Sequence, residues 1–477
     1  MTFNSAIKMS LLTSRAAALG LFLFVIPATG QEFRGSISGR IVDSTGMGVR
    51  GVQLTITNTE TKVSTNSTTD DGGNYAVHYL TPGHYSLDVE MQGFKKIERS
   101  GVEIQIGDRL TLDFHLELGA VQQEVRVTES TPLLQTSEAS AGQIIDEQRI
   151  DNLPLPDGNP FVLARAAGGL AFTGNLLFAR PFDNGGTSSI RASGAPGASE
   201  FTLDGAPDMA SGQRVGFVPP SEAVQEFKVI TANFDAQQGH TAGAAVNVIT
   251  KTGTDSLHGS AYEFDRNDAL MANDFFSNRL GRPKQKLRYN RWGGAVGGPV
   301  FLSKLYNGRQ KTFFFFAYEG LKDVQPETNR FTVPTQAERN GDLSALLSPA
   351  AGSITIYDPA SAKSTSGGHV TRSPLSCNGQ VNVICPNRLS PIAQAYLKLY
   401  PLPNLPGDAQ GQMNYFSGNP RTDHFNSETL RVDHQITSKQ KMFLRMYRNW
   451  REELRGNWSG STDGILATGN ELFRIND

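Results

Sequence analysis

Residues 219–264 read PPSEAVQEFKVITANFDAQQGHTAGAAVNVITKTGTDSLHGSAYEF. The stretch opens on a Pro-Pro pair and the start of a short helix. A strand of small residues follows, in which Ala242, Gly243, Ala244 and Ala245 permit close packing. After a Gly-rich break, residues 258–266 alternate in polarity, with Tyr262 and Phe264 on one face and Glu263 and Asp265 on the other. The stretch divides the chain. Before it the elements are short and turn-rich, and after it the strands lengthen.

The 477-residue chain is long enough for two or three domains with real cores. Hydrophobic residues make up 38%, low for a helical membrane protein, and 49 glycines suit β-structure with many turns. A net charge of −2 with dispersed Lys and Arg gives no field for nucleic acid. Residues 1–30 read as an export signal. Lys8 and Arg15 supply positive charge, residues 16–26 are apolar, and Ala28-Thr29-Gly30 offers a cleavage site. The apolar run is too short for a helix to cross a hydrocarbon core of roughly 30 Å. A membrane role must therefore use strands.

Residues 33–118 read as a small β-sandwich. Ile37, Gly39 and Ile41 alternate, as do Val52, Leu54 and Ile56, and Asp70-Asp71-Gly72-Gly73-Asn74 is a strong turn. Further strands fall at 75–79, 85–89, 102–106 and 110–116. The pattern Gly73-Asn74-Tyr75, Leu80-Thr81-Pro82-Gly83-His84-Tyr85 and Gly93-Phe94 resembles the carboxypeptidase regulatory-like family, a noncatalytic prealbumin-type and starch-binding-like module. Tyr75, Leu80, Tyr85, Leu87, Val89 and Phe94 are its expected core. The competing use of the aromatic residues is as sugar platforms, since the wider superfamily is associated with carbohydrate binding.

The 219–264 stretch itself resembles the join between plug and barrel in Oar-like TonB-dependent outer-membrane receptors. That resemblance implies a linker at 119–138, an α+β plug at 139–252 and a partial outer-membrane β-barrel at 253–477. In the linker, Glu124, Val125, Arg126, Val127, Thr128, Glu129 and Ser130 resemble a Ton box, the strand offered to a periplasmic TonB-type protein. The same residues also read as a last strand of the sandwich or a first strand of the plug. In the plug, Asn159-Pro160 starts a helix. Asp204-Gly205 is a turn by its own chemistry, and no partner acid or base marks Asp204 as catalytic.

Five long strands follow at 258–266, 288–300, 311–322, 424–436 and 442–450. The gaps between them run long, short, longest, short, as expected of a barrel with long outer loops and short periplasmic turns. Glu263 and Asp265 are candidates for lining the lumen. Gly293-Gly294-Ala295-Val296-Gly297-Gly298 reads as a bend. In the longest gap, Cys377 and Cys385 are an expected disulfide. A metal site there would be short of ligands, with only His369 nearby. A helix at 391–400 places Ile392, Tyr396 and Leu399 on one face.

No HExxH, phosphate loop, nucleophile elbow or CxxC occurs, so the expectation is a non-enzyme without cofactor or metal. The expected fold is mainly β: sandwich, plug, and the first five or so strands of an incomplete barrel. A plugged transporter barrel has about 22 strands, which residues 253–477 cannot supply, so the chain reads as C-terminally truncated. The expected partners are outer-membrane lipid, a TonB-type energy-coupling protein and an extracellular carbohydrate, peptide or metal chelate. The alternative function is a secreted or periplasmic carbohydrate-binding protein acting through the sandwich.

Overall fold

The computed structural model describes residues 32–119, 124–128, 141–455 and 471–476, less 154, 174–179, 183, 193–198, 233–242, 280, 282–283, 327–328, 366–367, 409–410, 418–419 and 438–439. The signal segment 1–30 lies outside the described residues, as do Glu129 and Ser130. The chain divides into two compact units, 1–251 with 435–441, and 252–434 with 442–477. No helix of the described residues is long and apolar enough to cross a membrane.

The first unit begins with two facing sheets. One holds β1 (Gly35–Asp43), with β4 (Asn74–Leu80) antiparallel on one edge and β7 (Arg109–Thr111) and β8 (Phe114–Leu116) parallel on the other. The second has the order β3-β2-β5-β6-β9, made of β3 (Ser64–Thr68), β2 (Gln53–Asn58), β5 (Gly83–Glu90), β6 (Lys96–Ile104) and β9 (Glu124–Thr128). Alternation buries every second side chain, so Ile37, Ile41, Val52, Leu54, Ile56, Leu87 and Val89 meet in one core. Tyr75, Leu80 and Tyr85 join them, while Phe94 packs against the cluster from a partly buried position. Burying a tyrosine requires an acceptor for its hydroxyl. Tyr75 donates to the Leu112 carbonyl and Tyr85 to the Thr81 carbonyl, each at 2.6 Å. Asp70 closes its turn by accepting from Gly72 N–H at 2.9 Å and Asn74 N–H at 2.8 Å.

The rest of the first unit centres on a mixed five-stranded sheet. Its strands are β10 (Ala141–Ile145), β11 (Glu200–Leu203), β12 (Ala206–Pro207), β13 (Val224–Ala232) and β14 (Ala245–Thr250), in the order β10-β13-β14-β11-β12. Helix α1 (Glu147–Asn152) follows β10 and is capped by Asp146. The helix expected at Asn159-Pro160 is a 3-10 helix, Pro160–Ala166, with the Asn159 side chain accepting from Phe161 N–H at 3.0 Å. The helix start expected after Pro220 is a single 3-10 turn, Ser221–Ala223. β13 then runs inside the sheet, between β10 and β14, where Val224, Phe227, Val229 and Ile230 are buried. The β-branched residues there favour an extended backbone.

The second unit is a six-stranded antiparallel meander in sequence order. Its strands are β15 (His258–Asn267), β16 (Arg288–Pro299), β17 (Thr312–Pro326), β18 (Pro420–Thr437), β19 (Gln440–Arg455) and β20 (Glu471–Asn476). The connections span 268–287, 300–311, 327–419 and 438–439 before the one to β20. The glycine run at 293–298 is not a bend. It lies inside β16, which pairs with both neighbours without a register shift. Within 327–419 stand helix α2 (Pro391–Leu397) and a disulfide between Cys377 and Cys385, with Cα atoms 5.1 Å apart. Ile392 and Tyr396 of α2 are exposed.

Candidate functional site

The long sheet has two chemically different faces, fixed by pairing register. From β17, Phe313, Phe315, Ala317, Glu319, Leu321 and Asp323 turn to one face and are all buried. From β18, Arg421, Asp423, Phe425, Ser427, Thr429 and Arg431 share that face and are buried too. Charges in such a place must be paired. Glu319 Oε2 accepts from the Tyr262 hydroxyl at 2.6 Å and from Arg291 Nε at 2.8 Å and Nη2 at 2.6 Å. The Arg291 guanidinium also lies over the Tyr262 ring at 5.1 Å and the Phe264 ring at 5.4 Å. Nearer the end of the sheet, Asp423 takes Arg421 at 3.0 Å and Arg451 at 2.7 Å, and Arg451 also reaches Glu453 at 3.1 Å.

The opposite face carries Trp292, Val296, Phe314, Phe316 and Tyr318, continued by Met442, Leu444 and Met446 on β19. Leu444 is 67% exposed and Met446 60%. A large exposed apolar surface marks contact with a partner or with lipid. Trp292 lies across Gly320, where a Cβ would stand 2.6 Å from the indole.

The sequence-predicted residues fall as follows. Glu263 pairs in register with Trp292, and Asp265 with Asn290. Both carboxylates thus turn to the face of Trp292 and away from the buried charges, and the expected orientation of this strand is reversed. Tyr262 and Phe264 occupy the charged face, because one hydroxyl satisfies Glu319 and both rings stack on Arg291. Gly293 makes this possible: a Cβ there would lie 2.5 Å from the Tyr262 hydroxyl. The segment Glu124–Thr128 forms β9, parallel to β6, with Glu124 opposite Lys96 and Thr128 opposite Ser100. The loop bearing Cys377 and Cys385 is tied further by Arg388, whose Nη1 and Nη2 reach the two oxygens of Asp358, each at 2.7 Å. Among the described residues no cluster of three or more His, Cys, Asp and Glu is arranged to hold a metal. Tyr75 and Tyr85 are buried in the sandwich core, so neither offers an open ring face to a sugar.

Three carboxylates in the first unit carry geometry that the sequence did not disclose in full. Asp204 occupies its turn with φ of +47° and clamps Thr250, accepting from its N–H at 2.8 Å and its hydroxyl at 2.7 Å. Asp208 is driven up to about 7 by burial, opposed by the N–H groups of Phe217 and Gly216. Glu226 of β13 accepts from the Ile106 N–H of the sandwich at 2.6 Å. Burial pushes this carboxyl up to about 8, against the pull of that hydrogen bond and with help from Asp108, Glu103 and Asp146. Beside it, Gln225 Nε2 donates to the Pro82 carbonyl at 3.3 Å, so the sandwich and the mixed sheet are hydrogen-bonded to each other.

Residues 249–474 match the family of outer membrane beta barrel domains, and residues 36–117 match the carboxypeptidase regulatory-like domain. The TonB-dependent transporter Oar of Myxococcus xanthus is 24% identical over 243 residues, which are 50% of this chain and 22% of the transporter. The chain thus spans about a fifth of that relative's length. Among solved structures, a mutant ferric enterobactin receptor of Pseudomonas aeruginosa aligns with TM-score 0.36 and 13% identity, over 70% of this chain and 36% of the receptor. The Bacillus anthracis TIE protein aligns with TM-score 0.16 and 20% identity, over 18% of this chain and 17% of that one.

Proposed function

We propose, from the premise that this chain is an Oar-like relative of the TonB-dependent outer-membrane receptors, that it acts in energy-coupled uptake through a plugged β-barrel. Its compartment is the outer membrane. In this reading residues 139–252 are the plug and the sheet from β15 onward is barrel wall. The charged, buried face of the sheet is the lumen side, and the face of Phe316, Leu444 and Met446 meets lipid. The ligand class is a carbohydrate, a peptide or a metal chelate, taken up at the outer loops. A TonB-type protein, energised from the inner membrane, engages residues 124–130 and displaces the plug. No bond in the ligand changes, so the work of the protein is binding and motion.

The observation that carries the reading is the two-faced antiparallel sheet. Its exposed side carries Val296, Phe316, Leu444 and Met446, and its buried side holds the paired charges of Arg291, Glu319, Asp423 and Arg451. Strands that alternate in this way fit a wall between lipid and a polar interior. The test has two parts. The protein expressed in a Gram-negative host is fractionated, and a photo-crosslinker at Val127 is used to capture the TonB-type protein. Recovery in the outer membrane with an energy-dependent crosslink is expected. Recovery in the soluble periplasm would refute the proposal.

A further inference from the structure

β9 is the terminal strand of its sheet, and β6 pairs with one of its edges over five residues. Among the described residues no other strand pairs with β9. Backbone N–H and C=O groups alternate between the two edges of a strand, so pairing with β6 leaves an outward row available to another strand. The position of this strand is itself informative. It leaves the sandwich and leads towards β10, the first strand of the mixed sheet. A coupling segment that was loose would have to be ordered on binding, which lowers affinity. Here the sandwich already holds it extended and in register.

We infer that the N-terminal sandwich is a presenting frame for the coupling strand. It pairs residues 124–128 with residues 96–100, and the TonB-type partner adds its own strand to the outer edge of β9, extending the five-stranded sheet. The inference rests on the reading of residues 124–130 as the coupling segment. It differs in sign from masking, in which the β6–β9 ladder would have to open before the partner could bind.

The test uses the full chain in detergent with Glu98→Cys and Arg126→Cys, two positions opposite each other in the ladder. The native cysteines are already bonded to each other, so the new pair is the free dithiol. The chain is titrated, oxidised and mildly reduced, with the soluble periplasmic domain of the host's TonB-type protein, beside a free peptide of residues 122–131. The disulfide is expected to form. The oxidised chain should bind at least as tightly as the reduced one, and the peptide about tenfold more weakly or worse, since it must be ordered on binding. A tenfold loss of binding on oxidation would overturn presentation in favour of masking. Failure of the disulfide to form would overturn the ladder. Binding by the peptide but by neither form of the chain would overturn the inference alone. Binding by none of the three would overturn it together with the coupling reading.

Discussion

Glu226 ties the sandwich to the mixed sheet through one short hydrogen bond, to the Ile106 N–H, and its environment makes that tie sensitive to pH. The carboxyl ordinarily titrates at 4.5 and is pushed up to about 8 here, mainly by burial. Between those values the docked state holds a proton that the undocked state releases. Stability is therefore full below about pH 4.5 and is lost as pH rises through about 8. At 1.36 kcal/mol per unit, the loss comes to about 4–5 kcal/mol. This is an upper figure for the intact docked geometry, because the sandwich can part from β13 and rehydrate the carboxylate. Asp208, raised to about 7 by burial, adds a slope of the same sign in its own loop. Glu226→Gln keeps an acceptor for the Ile106 N–H but cannot ionise. The assay is hydrogen exchange followed by mass spectrometry, on peptides covering 96–106 and 224–232, corrected for the intrinsic exchange rate at each pH. The wild type should lose protection in both peptides between pH 5 and pH 9, while Glu226→Gln stays protected. Equal protection of the wild type at both pH values would refute the reasoning. So would the same slope in Glu226→Gln.

Glu319→Ala leaves Arg291 buried without its carboxylate and should lower stability by about 3–5 kcal/mol, read as a shift in the urea midpoint in detergent. Tyr262→Phe removes one hydrogen bond to the same carboxylate and should cost about 1.5–3 kcal/mol in the same measurement. Asp204→Ala strips the buried Thr250 N–H and hydroxyl of their acceptor, for a cost of about 2–4 kcal/mol by pulse proteolysis. Asp204→Asn should cost less, because Asn tolerates the left-handed backbone. Gly320→Ala drives a methyl group into the Trp292 indole and should cost about 1–3 kcal/mol, with a change in tryptophan emission.

Where local chemistry dictates structure, the chain was legible. The turn at Asp70 and the alternation of Val52, Leu54 and Ile56 placed most of the sandwich. Alternation of polarity placed the long strands, and the expected long, short, longest, short order of the gaps between them recurs as 268–287, 300–311, 327–419 and 438–439. What the sequence hid is pairing and orientation. β3 reads Ser-Thr-Asn-Ser-Thr, with no apolar face, and among the described residues it is an edge strand paired only with β2. The helix start read after Pro220 is one 3-10 turn, and β13, which follows it at once, was not read from the sequence, because its polar residues find their partners far along the chain, as Glu226 does in the Ile106 N–H. The face of β15 was misread because Tyr262 and Phe264 were counted as apolar. Their partners, Arg291 and Glu319, lie 27 to 57 positions along the chain, and no local pattern links them. The parallel pairing of β9 with β6 is likewise a long-range choice.

The central claim is that the sheet from β15 to β19 is a membrane wall with a defined inside. The most direct measurement is a spin-label scan of residues 313–318 and 427–432, one label at a time, in outer-membrane vesicles, quenched in turn by lipid-soluble oxygen and by a water-soluble nickel chelate. Labels at Phe314, Phe316 and Leu430 should be reached by oxygen. Labels at Phe315, Ala317 and Thr429 should be shielded from it, giving a period of two along both strands. The same period with the opposite parity, or no alternation at all, would contradict the account.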